Sequence, residues 1–297
     1  MPASRRRASR FVALLLLAPI TPNASQERAR EPLTVMTFNI RYGTADDGEN
    51  RWSRRREMVF EVIRQQDPDV LGLQEALDAQ IDEIIAALPD YAVVGVGRDD
   101  GRDGGEYSAI LYRKSRLHVA EAGTFWLSST PAVPGSASWG NRIPRICTWA
   151  RFIDRDGHAF WHFNTHLDHE SQPSRERSTL LIRERVEART FREDPAIVTG
   201  DFNAGAKNPA LATLIGAGAE PGSQPAPFVD TYRKVHPGEQ DVGTYTAFTF
   251  GRTDGEKIDF VLAPQGSEIL NADIIRWGRN NRYPSDHFPV VARVRLP

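Results

Sequence analysis

The feature that most constrains the fold of this chain is a repeated pattern, in which a short apolar, β-branched segment is followed by polar side chains. Leu33 to Ile40 predicts a buried strand and carries Asn39 near its end. Polar residues stand beside five further predicted strands: Glu75, His166 with Asp168, and Asp201 with Asn203 follow a strand, Asp259 lies in one, and Asp286 with His287 introduces the last. A single Asp after a strand is usually a turn former. Six such positions indicate one site, because the ends of neighbouring strands converge in space.

The segments between these positions predict helices and further strands. Met58, Val59, Val62 and Ile63 give one apolar face to a predicted helix over Arg54 to Gln66. Other predicted helices cover Ile81 to Leu88 and Ser174 to Phe191, and predicted strands cover Asp69 to Leu73, Tyr91 to Val96, Tyr107 to Tyr112, Arg145 to Ile153, Ala159 to Leu167, Ala196 to Gly200, Lys257 to Ala263 and Val290 to Leu296. This order predicts a layered α/β protein with mixed sheets, not a doubly wound parallel one. The absence of GxGxxG and P-loop motifs argues against dinucleotide and P-loop chemistry.

The N-terminal segment predicts export. Arg5, Arg6, Arg7 and Arg10 precede an apolar run from Phe11 to Ile20, and small and polar residues follow. We interpret residues 1–24 as a signal peptide and residues 33–297 as one domain. The apolar run is too short to span a bilayer, so a membrane span is not expected. The alternative is an uncleaved basic tail.

The charge balance and the single cysteine limit the partners that we expect. The whole chain has a net charge of −2, and without residues 1–24 it has 33 basic and 39 acidic residues, or −6. This balance disfavours a broad face for duplex nucleic acid, which needs Lys and Arg against phosphates. Cys147 cannot form an internal disulfide and is expected to be a small buried residue. A monomer that acts on a phosphate ester is expected.

The residue types at the predicted strand ends suit phosphoester hydrolysis with a hard cation. Glu75 and Asp286 offer the carboxylate oxygens that Mg²⁺ prefers, and Asn39 offers an amide. Asp201 could deprotonate an attacking water, and Asn203 could donate to phosphoryl oxygens without adding negative charge. A zinc site is the alternative for the closely spaced histidines, which are His162, His166 and His169.

Six motifs carry a resemblance to a known family. They are FNIRYG (Phe38 to Gly43), LQEA (Leu73 to Ala76), NTHLDH (Asn164 to His169), GDFN (Gly200 to Asn203), KIDF (Lys257 to Phe260) and SDHFPV (Ser285 to Val290). In this order, over residues 33–297, they resemble the endonuclease/exonuclease/phosphatase family. The resemblance implies an α/β sandwich, in which two mixed β-sheets pack face to face with helices on the outer sides.

The resemblance also implies site residues and a cofactor. The metal, Mg²⁺ or Mn²⁺, would be bound by Glu75, Asn39 and Asp286. The catalytic set would be His166, Asp201, Asn203, Asp259, His287 and Glu106, in which Asp259 pairs with His287 and Glu106 with His166. Arg145, Asn203 and His166 would contact the substrate phosphate.

Within this family the chain is most similar to a bacterial exported subgroup. The segments ADDGENRW, FWLSSTP (Phe125 to Pro131) and THLDHES support that similarity. Four residues are candidates for the pocket wall, with core packing or loop anchoring as the alternative: Trp52, Trp126, Trp139 and Arg142. The expected substrate is a nucleotide, an oligonucleotide, or a sugar or inositol phosphate, cleaved as a diester or a monoester. The alternatives are an extracellular DNA endonuclease, a sphingomyelinase-type lipid phosphodiesterase and a non-catalytic binding module.

Overall fold

The computed structural model describes residues 30–216 and 225–297, so the predicted signal peptide, residues 1–24, lies outside the described residues. Six strands form the first sheet, in the spatial order β11-β12-β1-β2-β4-β3. Their bounds are β1 Leu33–Asn39, β2 Val70–Gln74, β3 Tyr91–Val94, β4 Ile110–Arg113, β11 Glu268–Ile274 and β12 Val290–Arg295. The β1–β2 pair is parallel and the other neighbours are antiparallel.

The second sheet has the spatial order β5-β6-β7-β8-β10-β9. Its strands are β5 Leu117–Trp126, β6 Ile146–Asp154, β7 Ala159–His166, β8 Ala196–Asp201, β9 Phe228–Asp230 and β10 Asp259–Pro264. Here too one central pair, β7–β8, is parallel, and its neighbours are antiparallel. The helices are α1 Trp52–Gln66, α2 Asp78–Ala87, α3 Gln172–Glu187, α4 Pro209–Ile215 and α5 Thr231–Val235.

The apolar residues of the strands and helices form three cores. One core lies between the two sheets, and the other two lie between a sheet and its helices. Val35, Val70, Phe160 and Ile197 belong to the core between the sheets. Residues of the opposite parity point outward, because successive side chains of a strand alternate between faces. On the first sheet these outer residues pack against α1 and α2, and on the second sheet they pack around α3 and α4. The implied sandwich of two mixed sheets with helices outside is therefore confirmed.

A buried polar seam crosses the space between the two sheets above the apolar core. Gln74 Nε2 donates to Thr37 Oγ1 at 3.0 Å and to Asn164 Oδ1 at 2.7 Å. Asn164 Nδ2 donates to the carbonyl of Leu73, and Thr199 Oγ1 donates to Asn164 Oδ1. These bonds satisfy polar groups that would be costly to bury alone. They also join the two sheets at one fixed register.

The seam requires a very close approach of the sheets at Gly72. A Cβ built on Gly72 would lie 2.3 Å from Asn164 Oδ1 and 2.4 Å from Thr199 Oγ1. Any side chain here would separate the sheets or break the seam. The glycine in the strand VLGLQ thus has a packing reason.

Most predicted elements occur within a few residues of their predicted bounds, and the strands that were not predicted lie at the sheet edges. The predicted strand from Tyr107 starts only at Ile110, because Tyr107 makes isolated bridges to Ala76 and Gly97. β5, β9, β11, α4 and α5 were not predicted. β5 and β11 carry charged residues and lie at outer edges, where half of each strand contacts solvent. Cys147 is buried, as expected. Within the described residues, no helix is long and apolar enough to cross a bilayer.

Candidate active site

The predicted polar residues meet at one edge of the sandwich. Strands β1, β2, β7 and β8 end at this edge, while the antiparallel strands β10 and β12 begin there. A cavity of about 630 Å³ opens between these ends. Its lining includes the predicted residues Glu75, Glu106, Arg145, His166, Asp201, Asn203, Asp286 and His287, and also Arg41, Tyr42, Arg98, Ile143, His169, Tyr245 and Ile258.

Asn39 lies beneath the cavity and joins two carboxylates. Its Nδ2 donates to Glu75 Oε1 at 3.1 Å and to Asp201 Oδ2 at 2.9 Å. Its amide oxygen accepts from the backbone N–H of Arg41 at 3.0 Å. In this arrangement Asn39 orients the two carboxylates with its amide nitrogen, and its role as a metal ligand stays a prediction.

Arg41 lies between the two carboxylates that are predicted to bind metal. Its guanidinium nitrogens lie 3.9 Å from Glu75 Oε2 and 3.9 Å from Asp286 Oδ2. Asp47 binds the same guanidinium through two bonds of 3.1 Å. Burial alone would lower the pKa of Arg41, but these three carboxylates raise it. Glu75 and Asp286 therefore face the same side of the cavity, and the Arg41 guanidinium lies beside both carboxylates.

Burial also raises the pKa of Asp286 above its ordinary value, and the neighbouring Glu75 carboxylate adds to this rise. Arg41 and His287 act in the opposite sense. Burial is the largest cause of the rise, so the Asp286 carboxylate lies in a desolvated position beside that of Glu75.

Asp201, Asp259 and His287 form a buried charged group. His287 Nδ1 donates to Asp259 Oδ2 at 2.9 Å, and His287 Nε2 lies 3.8 Å from Asp201 Oδ2. Burial tends to lower the pKa of His287, but the two carboxylates outweigh it and raise the pKa well above the ordinary value. The pKa of Asp201 is raised by burial and by the charge of Asp259. These contacts favour the imidazolium form of His287, and the ring lies against Asp259 in the predicted pairing.

His166 has the opposite electrostatic character. Burial and the positive charge of Arg145 lower its pKa well below the ordinary value, so it is neutral. Its Nε2 accepts from Asn203 Nδ2 at 3.0 Å, which leaves the ring proton on Nδ1. Asn203 has a left-handed backbone with φ of 47° and donates its backbone N–H to Asp201 Oδ1 at 2.9 Å. The GDFN turn therefore fixes Asp201 and His166 together.

Glu106 does not make the predicted contact with His166. Two guanidinium nitrogens of Arg98 bind its carboxylate at 2.6 and 2.7 Å. No described residue forms a hydrogen bond with His166 Nδ1. Burial raises the pKa of Glu106, and the charge of Arg98 opposes that rise. The bidentate pair with Arg98 occupies the carboxylate, so Glu106 acts in this structure as part of the cavity wall.

Arg145 reaches the cavity as predicted. It is buried, and its Nη2 lies 2.8 Å from His169 Nδ1. Its Nε lies 3.5 Å from Asp168 Oδ2. Asp168 itself accepts the backbone N–H groups of Glu170 and Ser171, so it shapes the loop before α3.

Comparison with known proteins decides the family. Residues 36–287 match the endonuclease/exonuclease/phosphatase family. The chain belongs to this family. Members of the family are phosphoester hydrolases, so the chain has a phosphoesterase fold, and the predicted resemblance is confirmed.

Solved bacterial structures of the family are similar over nearly their full length. A Bacteroides vulgatus member is 34% identical with a TM-score of 0.81, and the match covers 90% of this chain and 100% of that one. A Bacteroides thetaiotaomicron mannosyl-6-phosphatase is 31% identical with a TM-score of 0.78, and the match covers 88% of this chain and 99% of that one.

Two curated relatives are more distant. An uncharacterized protein of Acanthamoeba polyphaga mimivirus is 28% identical over 181 residues, which is 58% of this chain and 67% of the viral protein. Nocturnin of Drosophila melanogaster is 26% identical over 283 residues, which is 82% of this chain. The chain spans only 42% of that nocturnin.

The residues of this family member fit a metal ion in one of two places. Asp201, Asp259 and His287 offer ligand atoms within 4.8 Å of one another. The imidazolium of His287 already balances that group, because its proton lies between the ring and Asp259. Glu75 and Asp286 have only the Arg41 guanidinium beside them, at 3.9 Å from each, and offer the oxygen ligands that Mg²⁺ prefers. Their position is the better fit, and their role as ligands stays a prediction.

The zinc alternative lacks support in the part of the chain that the structure describes. His162 is buried in the polar seam and bonds Thr199 Oγ1 at 2.7 Å, below the cavity. His169 faces Arg145 at the rim. The three histidines do not converge on one position.

The predicted pocket-wall residues do not line the cavity. Trp52 is buried against Phe60, and its Nε1 donates to Glu83 Oε2. Trp126 is buried and donates its Nε1 to the carbonyl of Arg98. Trp139 and Arg142 lie in the loop before β6, where the carbonyl of Trp139 accepts Ser171 Oγ and Arg142 pairs with Glu170 at the surface. These four residues therefore pack in the core or anchor loops, which was the alternative interpretation.

Sequence reasoning missed several residues that shape the site. Arg55 is 1% exposed and donates to the carbonyls of Ile40, Arg41 and Pro284, so it holds two site loops together. The sequence feature that could have revealed Arg55 is its place on the apolar face of the predicted helix, three residues before Met58. Arg98 and Tyr245 lie in polar loops without a pattern that marks them.

Proposed function

We propose that this chain is an exported, metal-dependent phosphatase that removes the phosphate group from a sugar phosphate. The observation that carries the proposal is the composition of the cavity, which combines three arginines with four carboxylates: Arg41, Arg98 and Arg145, and Glu75, Glu106, Asp201 and Asp286. A phosphate monoester brings up to two more negative charges. A divalent cation at Glu75 and Asp286 would offset them.

Asp201 is the group best suited to activate the attacking water. Its two oxygens are fixed by Asn39 and by the backbone N–H of Asn203. Its raised pKa makes it a stronger base than an ordinary aspartate. In the proposed reaction the water oxygen bonds to phosphorus, the water proton passes to Asp201, and the sugar oxygen leaves with the electrons of the broken P–O bond.

The two histidines have different proposed roles because their pKa values are shifted in opposite directions. The imidazolium of His287 can donate to a phosphoryl oxygen and stabilise the charge that develops there. Neutral His166 can donate through Nδ1 or orient Asn203 through Nε2. The bound cation would supply Lewis-acid polarisation of the phosphate. Groups with divergent pKa values are typical of sites that divide acid and base roles.

The similarity to a mannosyl-6-phosphatase supports a sugar phosphate as the substrate class. The net charge of −6 after loss of residues 1–24 disfavours duplex DNA. The basic and apolar leader supports export. We further propose that the chain acts as a monomer.

A substrate panel tests this proposal. Residues 25–297 would be assayed with Mg²⁺ on mannose 6-phosphate, inositol phosphate, bis-p-nitrophenyl phosphate, single- and double-stranded DNA and sphingomyelin. We expect the highest kcat/KM on mannose 6-phosphate. Faster cleavage of either DNA or of sphingomyelin would replace the sugar phosphate by that substrate.

A further inference from the structure

The mouth of the cavity has an apolar wall, formed by Tyr245 and Ile258. Tyr245 is 44% exposed, and its ring centroid lies 5.1 Å from that of His287. Ile258 directly precedes Asp259 and lines the same cavity. The wall therefore adjoins the side chains proposed to act on phosphate. When the phosphate is bound at those side chains, the leaving group of the ester would lie against this apolar wall.

The backbone around Tyr245 is fixed to the site. Thr246 N donates to the carbonyl of Asp286 at 2.6 Å, and the N–H of Phe288 donates to the carbonyl of Thr244 at 2.8 Å. Ile258 N donates to Thr244 Oγ1 at 3.0 Å, which ties the two residues of the wall together. A backbone held in this way loses little freedom when a ligand packs on the Tyr245 ring, so the contacts of the ring contribute efficiently to binding.

The exposed ring has both apolar and polar character. No hydrogen bond from a described residue reaches the Tyr245 hydroxyl, and Arg252 lies 6.0 Å from the ring centroid. A flat aromatic face that carries a hydroxyl without a partner among the described residues suits a ligand that has an apolar ring face and a hydroxylated edge. A pyranose sugar has this form, whereas an acyclic polyol phosphate lacks the flat face.

We infer that Tyr245 is a stacking platform for the leaving group and selects phosphate esters of ring sugars over acyclic esters. The assignment rests on the proposed function, because a platform beside His287 serves a substrate only if its phosphate is bound at that site. Tyr245, which is not one of the charged residues of the cavity, would then determine which leaving groups are accepted.

Steady-state kinetics on two substrates test the platform. Mannose 6-phosphate carries a ring, and glycerol 3-phosphate carries the same charged group without one. We expect Tyr245→Ala to raise KM for mannose 6-phosphate about tenfold, while KM and kcat for glycerol 3-phosphate change less than about twofold. Tyr245→Phe keeps the ring and should retain most of the preference. Phe250→Ala, an exposed aromatic on the same loop outside the cavity lining, should change neither substrate.

Equal losses on both substrates would overturn the platform, since they would show that Tyr245 only supports His287. Unchanged KM for mannose 6-phosphate would overturn it as well. If the wild type hydrolyses neither ester, the proposed function fails, and calorimetric binding of mannose 6-phosphate with Mg²⁺ decides the platform separately. Weaker binding to Tyr245→Ala than to wild type would support it, and equal or absent binding would reject it.

Discussion

Asn39 shows how one neutral side chain sets the electrostatics of the site. It donates to Glu75 and Asp201 at once, and its own oxygen is held by the backbone of Arg41. An acid at this position would add a third carboxylate between Glu75 and Asp201 and would remove the amide nitrogen that donates to both. The amide nitrogen of Asn39 is therefore the group that this position needs, because it donates to both carboxylates. The sequence alone did not distinguish this orienting role from metal binding.

Asn39→Asp should lower the free energy of unfolding by about 1–3 kcal/mol in the presence of a chelator. The loss should shrink when Mg²⁺ is added, because the cation would neutralise the added carboxylate. Urea unfolding with EDTA and with Mg²⁺ measures both values. Asn271→Asp, at an exposed amide that also donates to a carboxylate, should cost less than about 0.5 kcal/mol. Equal costs at the two positions would contradict this account of Asn39.

The buried histidine of the polar seam, His162, makes the free energy of unfolding depend on pH. Burial lowers its pKa to about 3, against about 6.5 in an unfolded chain. Between these values the unfolded chain binds a proton that the folded chain excludes. The stabilisation is therefore complete above pH 6.5 and is lost as pH falls, by up to about 1.4 kcal/mol per pH unit.

The difference in unfolding free energy between wild type and His162→Leu should accordingly shift in favour of the variant between pH 6.5 and pH 4. Other titrating groups, including His166, are present in both proteins and cancel. Chemical unfolding at a series of pH values gives the difference directly. A difference that does not vary with pH would show that His162 accepts a proton in the folded state.

At the scale of elements, the inward-facing row of each central strand changes from apolar to polar side chains towards the active site. In β1 the row is Leu33, Val35, Thr37, Asn39, and in β7 it is Phe160, His162, Asn164, His166. The row in β8 is Ile197, Thr199, Asp201. The core, the polar seam and the active site are thus three levels of one inter-sheet space. The charged level is the one that the sequence pattern revealed.

This gradient explains what could be predicted and what could not. Buried strands with β-branched residues and polar ends were visible because their side chains alternate with period two. The edge strands β5 and β11 face solvent on part of their length, so their patterns are weak. Loop residues such as Arg98 and Tyr245 are brought to the cavity by chain reversals that no local periodicity encodes. Glu106 was correctly expected at the site, but its pairing with Arg98 depends on side-chain geometry.

Gly72→Ala tests the close approach of the sheets. The added methyl group would overlap Asn164 and Thr199 in the seam, so we expect a loss of about 1–3 kcal/mol or more in unfolding free energy. Gly238→Ala places a methyl group in open space and should stay within about 0.5 kcal/mol of wild type. Thermal and urea unfolding measure both. Equal stability of the two variants would show that the sheets separate at little cost.

At the scale of the whole molecule, residues 25–297 carry a net charge of −6. The four arginines of residues 1–24 bring the net charge of the whole chain to −2. Positive side chains in the cavity are therefore a local feature on an acidic protein. Such a distribution favours small anionic ligands over an extended polyanion.

Expression of residues 1–297 in a bacterial host should yield a secreted or periplasmic product that starts near residue 25. Deletion of residues 2–24 should leave the protein in the cytoplasm. Fractionation and intact mass of the purified product measure location and processing. A full-length protein recovered from the cytoplasm would identify the segment as an uncleaved tail.

The most direct test of the central claim is the rate of p-nitrophenyl phosphate hydrolysis by residues 25–297, with Mg²⁺ and with EDTA, for wild type and Asp201→Asn. We expect Mg²⁺-dependent turnover that Asp201→Asn lowers by about 10²–10⁴-fold, while Asp82→Asn at an exposed helix position leaves it unchanged. Turnover that persists in EDTA, or that Asp201→Asn retains, would contradict a metal-dependent phosphoesterase site at this edge of the sandwich.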